Sequence, residues 1–351
     1  MTSYASAGVS IEAGDRAVEL MKEWVEKARR PEVVGGIGGF AGLFDASALK
    51  SYKRPLLATS ADGVGTKVAI AQAMDIHDTI GFDLVGMLVD DLVVCGAEPL
   101  FLTDYIACGS VVPERIADIV KGIAQACAET GTALLGGETA EHPGLLEPEE
   151  YDVAGSTTGV VEADKLLGAD LVKPGDVVIA MASSGLHANG YSLVRHVFFG
   201  KAGWKLDRDV AEFGSTLGEQ LLIPTKLYAK PCLDLAAAVE VHAMSHITGG
   251  GLAANLARVL PETVSVRVDR STWSPQPVFG LVGQLGGVAQ ADLEQALNMG
   301  VGMIALVAPD VADEAVRLLG ERGVPSWIAG DVAEAGIHGA GGSVTLENAH
   351  S

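Results

Sequence analysis

Aromatic residues are scarce, at 5% of 351 positions, and so are bases: 24 lysines and arginines stand against 45 aspartates and glutamates. The formal net charge of −21 excludes a broad basic face, so nucleic acid and anionic lipid are not expected partners. The same charge opposes phosphorylated small molecules. A phosphate site in this chain must therefore rest on a metal ion, on backbone amides or on a few placed cations. Cysteine is also rare. Cys95, Cys108, Cys127 and Cys232 stand far apart with no Cys-x-x-Cys pair, which fits buried thiols better than a disulfide framework or a zinc site. No apolar run reaches the roughly 18 residues of a membrane span. The longest, around residues 84–94, is interrupted by Asp83, Asp90 and Asp91. Residues 1–11 carry no basic stretch followed by an apolar one, so no secretory signal is expected and the reading is cytoplasmic.

What is present is a chain 48% hydrophobic, long enough for two cores. Residues 15–30 read as an amphipathic helix halted before Pro31, and a glycine-rich segment, Gly35-Gly36-Ile37-Gly38-Gly39-Phe40, follows. Residues 56–60 read as a strand running into Asp62-Gly63-Val64-Gly65-Thr66-Lys67 and a second helix. A helix at 79–96, a strand at 100–108, a helix at 113–130 with proline in its first turn, and a strand at 132–135 come next. Strands and helices continue to alternate beyond Lys173-Pro174-Gly175-Asp176, a turn, giving a mixed α/β chain with domains expected at 1–170 and 171–351. In the second half, strands at 177–182 and 241–247 each end in a polar, glycine-bearing loop before a helix.

Asp62 to Lys67 combines a carboxylate, two glycines that let backbone approach a phosphate, a hydroxyl and a lysine. The order differs from a Walker A loop, where lysine precedes the hydroxyl residue, and a tight strand-to-helix turn with a solvated lysine fits the pattern equally. Asp83 and Asp91, eight apart on an otherwise apolar helix, are expected on one face with Asp90 beside them. A divalent cation would neutralise them; a helix edge that meets water is the alternative. Glu138, in Gly136-Gly137-Glu138-Thr139-Ala140, follows a strand, where α/β proteins place ligands. His187 with Asn189, and His246 with Thr248, sit at strand ends, although a lone histidine is more often structural. Thr248-Gly249-Gly250-Gly251 before a helix reads as an anion cradle or as a plain helix start.

Together these residues resemble one family, the aminoimidazole ribonucleotide synthetases. The resemblance runs from Ala7-Gly8-Val9, through Arg30-Pro31-Glu32-Val33, the 35–40 segment, Asp62 to Lys67, Asp91-Leu92-Val93-Val94 and Gly96-Ala97-Glu98-Pro99, to Gly136 to Ala140. It continues through Tyr151-Asp152-Val153-Ala154-Gly155, Asn189-Gly190-Tyr191-Ser192-Leu193-Val194-Arg195, Thr248 to Gly251 and Gly300-Val301-Gly302-Met303. It implies a two-domain α/β (α+β) fold whose N-terminal halves pair in a homodimer around a central β-barrel, with a mixed α/β C-terminal domain. It also implies ATP-dependent closure of formylglycinamidine ribonucleotide to aminoimidazole ribonucleotide. Carried over by residue, Asp62, Asp91 and Glu138 are expected to hold Mg2+ against ATP. Gly35, Gly36, Gly38, Gly39, Gly63, Gly65, Thr66 and Lys67 are expected at the nucleotide, and Lys22 beside it. Asn189, His246, Thr248, Gly249 and Gly250 are expected at the substrate, with Asp91, His187 and Lys22 catalytic and His187 moving a proton. Asp90 departs from the asparagine many relatives carry, which puts the metal shell in doubt.

Selenophosphate synthetase would need a cysteine near the start, and none precedes Cys95. The related hydrogenase-maturation protein carries a working cysteine at its extreme end, where this chain has Glu347-Asn348-Ala349-His350-Ser351. Thiamine-phosphate kinase lacks the combined 189–195 and 248–251 pattern. A catalytically inactive, nucleotide-binding regulator is the alternative of another class, and it would not require the full set of acids and His187.

Overall fold

A computed structural model describes residues 10–36 and 39–351; Ala7, Gly8, Val9 and Gly38 lie outside them. The chain divides into two compact units, 1–92 with 97–164, and Val93–Gly96 with Lys165–Ser351. The division near the expected residue 170 thus falls at 164/165, and the short 93–96 stretch joins the second unit.

In the first unit, α1 (Ile11–Lys27) starts at Ser10, whose hydroxyl accepts the Ala13 amide, satisfying one of the helix's open N–H groups. It ends short of residue 30 because Arg30 turns inward: its guanidinium donates to the carbonyls of Pro99 and Gly131. The sheet contains β1 (Pro55–Gly63), β2 (Glu98–Cys108), β3 (Ala133–Glu141) and β4 (Tyr151–Glu162) in the order β1-β4-β2-β3. β4 runs antiparallel to β1 and β2, while β2 and β3 are parallel. After β1, a short turn leads to α2 (Val68–Met74), followed by α3 (Thr79–Val93); α4 (Pro113–Thr130) connects β2 to β3. α3 reaches the sheet where β4 has no side chains. A Cβ on Gly155 would stand 2.9 Å from the Leu88 side chain, and one on Gly159 3.0 Å from Leu92. Along β2, Leu102, Ile106 and Cys108 are buried. The intervening Tyr105 and, on β1, Leu57 are exposed, the period-two signature of a sheet covered on one face.

The second unit holds a six-stranded sheet of β5 (Val177–Ala182), β6 (Val241–His246), β7 (Val264–Asp269), β8 (Val301–Val307), β9 (Ser326–Glu334) and β10 (Ser343–Glu347). Its order is β6-β8-β5-β9-β7-β10. All pairs are antiparallel except β7 with β10. Every residue of β6 and β8 is buried, so both faces there are covered; β8 reads as an unbroken apolar run rather than an alternating one, while β6 carries His242, Ser245 and His246 into the interior. The register pairs Ala182 with Val301 and His246 with Met303. The loops leaving β5 and β6 therefore meet the start of β8 at one end of the sheet. No helix among the described residues is long and apolar enough to cross a membrane.

Candidate active site

In the first unit, one row of the sheet runs Asp62, Gly155, Asp104, Gly137, and Glu138 follows Gly137. Asp62 and Glu138 thus occupy the two outer strands. At about 4.8 Å per strand, three spacings separate them by roughly 14 Å, too far for both to bind one ion at the ~2.1 Å that magnesium requires. Among the described residues no group of three or more His, Cys, Asp or Glu side chains is placed to hold a metal ion. Within a single chain, then, the strand order does not bring Asp62 and Glu138 to one point. Asp62, Asp91 and Glu138 are all exposed.

The expected common face of Asp83 and Asp91 is corrected. Asp83 and Asp90 are fully buried while Asp91 is exposed. At 100° per residue, positions seven apart differ by only about 20° around a helix, whereas positions eight apart differ by about 80°. Asp83 meets Lys67, whose ammonium donates to its carboxylate at 2.7 Å, with both side chains fully buried. Burial pulls the Lys67 pKa below its ordinary value, and the Asp83 carboxylate opposes that pull. Lys67 has no exposed surface from which to meet a nucleotide; it anchors the turn that presents Asp62, Gly63, Gly65 and Thr66. Lys22 lies exposed on α1, paired with Glu19. Gly35, Gly36 and Gly39 line a cavity of about 570 Å3 together with Glu138.

In the second unit, the loops around 183–190, 247–251 and 298–302 gather His187, Asn189, Thr248, Gly249 and Gly250. His246 is the last residue of β6, and 6% of its surface is exposed. His187 is 2% exposed with a left-handed backbone, φ +60°, a conformation that costs a non-glycine residue about 1–3 kcal/mol and recurs at functional sites. Its Nε2 accepts the Ser184 amide at 3.2 Å, which leaves the ring proton on Nδ1. Asn189 approaches Gly249: a Cβ there would lie 3.6 Å from its Oδ1.

Residues 44–161 match the family AIR synthase related protein, N-terminal domain, and residues 173–341 match its C-terminal domain. A phosphoribosylformylglycinamidine cyclo-ligase of Geobacillus kaustophilus is 49% identical over 341 residues, 97% of this chain and 98% of that protein. One from Geobacillus thermodenitrificans is 48% identical over 342 residues, 97% and 99% respectively. The chain belongs to the phosphoribosylformylglycinamidine cyclo-ligase family. Solved structures share the fold at lower identity. A thiamine-monophosphate kinase from Stenotrophomonas maltophilia aligns at TM-score 0.67 and 20% identity over 98% of each chain. A hydrogenase maturation protein HypE in complex with ATP aligns at TM-score 0.67 and 18% identity, over 95% of this chain and 91% of that one.

Two residues of this cyclo-ligase family member escaped the sequence reading, and a third entered it only as part of the Gly300 to Met303 match. Asn255, one turn into α5 (Gly251–Ala257), donates its side-chain amide to the carbonyls of Thr248, Gly249 and Gly251, tying the loop inward below the exposed Gly249 and Gly250. Asn298 likewise donates to the Gly185 carbonyl and accepts the Gly300 amide. Gly302 is the third. A Cβ there would come within 2.1 Å of the Tyr228 hydroxyl and 2.5 Å of the His187 ring, so Gly302→Ala must push both aside. Because a displacement of about 1 Å at a reacting group costs on the order of 100-fold in rate, turnover is expected to fall by about that factor. Far-UV circular dichroism should meanwhile stay native. A variant with normal turnover would show that His187 does not need this seat.

Proposed function

We propose that the chain closes the imidazole ring of formylglycinamidine ribonucleotide, with ATP as phosphoryl donor, to give aminoimidazole ribonucleotide, ADP and phosphate. The formyl oxygen attacks the γ-phosphorus and ADP leaves. The amidine nitrogen of the same molecule then attacks the activated carbon, phosphate departs with the former formyl oxygen, and a proton is lost as the ring becomes aromatic. The observation that carries this reading is the presence in one chain of the exposed acids of the first unit and the His187, Asn189 and Thr248 loops of the second. An inactive regulator would not require the strained His187 backbone.

The donor chemistry of Asp62, Asp91 and Glu138 fits Mg2+, which takes hard oxygen ligands and is usually held by one or two carboxylates plus substrate phosphates. That arrangement does not need all three acids at one point. Bound there, the ion would neutralise phosphate charge during transfer. The glycine-rich segment would offer backbone amides to the phosphates, and Lys22 would add a cation at the rim. Asn189, His246 and Thr248 would hold the substrate, and His187 would act through its Nδ1 proton, as a donor to the departing oxygen.

The homodimer belongs to the same proposal. β1 and β3 are both outer strands, and the sheet face with Tyr105, 41% exposed, and Leu57, 63% exposed, is uncovered within the chain. Closing two such sheets edge to edge would bury that face and remove the open edges. The test of the activity is ADP formation by the purified full chain with Mg2+. ADP should appear only when formylglycinamidine ribonucleotide is added, in equal amount with aminoimidazole ribonucleotide. ADP formed without the substrate, or none with it, would sink the reading.

A further inference from the structure

The cavity of the first unit has a polar floor that none of the assignments above uses. Its walls are apolar side chains of α1, such as Val18, Met21 and Val25, and Leu134 of β3; its rim carries Gly35 and Gly36. At about 570 Å3 it falls within the range of small-molecule sites. Among its lining residues is Asp104, only 9% exposed. Asp104 stands in the inward phase of β2 with Leu102 and Ile106. The carboxyl lies against the backbone of the neighbouring strand, so closely that a Cβ on Gly137 would sit 2.2 Å from its Oδ1. No cation pairs with it among the described residues, and its neighbour Cys127 is a buried thiol. Burial pushes the Asp104 carboxyl up to about 7, so protonated and ionised forms coexist near neutral pH. A buried carboxyl without an ion partner is costly unless a ligand or proton satisfies it.

We propose that Asp104 is a ligand-reading residue: its carboxyl grips an amino-imine edge, N=C–NH2, accepting from the amino group and donating to the imine nitrogen. Two molecules of the proposed reaction carry that edge, the adenine ring of ATP and the amidine of the substrate, so the inference rests on the reading of function above. A charged metal or phosphate role would need the negative charge itself; an amino-imine reader needs one donor and one acceptor. Asparagine supplies both, whereas leucine supplies neither.

The test compares Asp104→Leu with Asp104→Asn in the full chain. Dissociation constants for ATP and for formylglycinamidine ribonucleotide are measured separately by calorimetry. The leucine variant should bind one of the two at least 10-fold more weakly and the other as the parent does, and the asparagine variant should stay within 3-fold of the parent. Loss confined to ATP assigns the adenine edge; loss confined to the substrate assigns the amidine. Should leucine not fold, Gly137→Ala, an exposed change that drives the carboxyl from its place, should weaken the same ligand. Unchanged binding, equal weakening of both ligands, or asparagine failing like leucine overturns the proposal. Parent protein that binds but forms no ADP on substrate addition overturns the proposed function alone, since the binding comparison does not depend on turnover.

Discussion

Asp83→Asn is expected to destabilise the fold by about 3–5 kcal/mol, the usual cost of removing one partner from a buried ion pair. The Lys67 ammonium would then be left in a site where neither side chain has any exposed surface. Water cannot replace the lost carboxylate, so the lysine must stay charged in a low-dielectric core or release its proton, and its already lowered pKa shows which way burial drives it. Lys67→Met alone should also destabilise, but less, because a buried carboxylate can neutralise itself by taking up a proton. The double change Lys67→Met with Asp83→Leu should recover part of the loss, since a pair replaced by apolar groups of similar volume is often tolerated. Urea unfolding of the three variants checks the ordering. A loss below about 1 kcal/mol for Asp83→Asn would mean that the pair does not hold the turn between β1 and α2.

This pair also shows where the sequence was legible and where it was not. The strands at 177–182 and 100–108, the helix at 113–130 and the glycine loops at strand ends follow from local signals: periodicity, proline at a helix start, glycine past its end. Residue pairing across 16 positions does not. A lysine in a glycine-rich turn looks solvated, and only the fold reveals that Asp83 lies beneath it. The signal was nonetheless present: Asp83 and Asp90, seven apart on an apolar helix, share a face that must be buried. Asp104 had a similar signal, an acid in the inward phase of an alternating strand, where Leu102 and Ile106 show which side is the core. Asn255 and Asn298 gave none, because an asparagine that ties down a loop has the same local surroundings as one that meets water. The separation of Asp62 from Glu138 is a matter of strand order, with β4 and β2 interposed, and no local pattern encodes it.

Asp62→Asn and Glu138→Gln are each expected to cut turnover by about 100-fold, close to 3 kcal/mol of transition-state stabilisation, while thermal unfolding stays within a degree or two of the parent. Both side chains are exposed, so their neutralisation removes little folding energy, and in a chain of net charge −21 losing one acid slightly relieves self-repulsion. The direction on turnover is the informative part. If the protein met phosphate through its own bases, removing acids would help binding. If an ion bridges acid and phosphate, removing acids must hurt, and excess Mg2+ should restore part of the loss by mass action. Lys67 and Lys22 sharpen the contrast, since one is locked against Asp83 and the other already faces Glu19. Magnesium titrations of kcat/KM for the parent and both variants decide between the two. Parallel curves with unchanged rates would remove Asp62 and Glu138 from the reaction, and a variant that binds ATP more tightly but turns over normally would assign the phosphate to backbone amides alone.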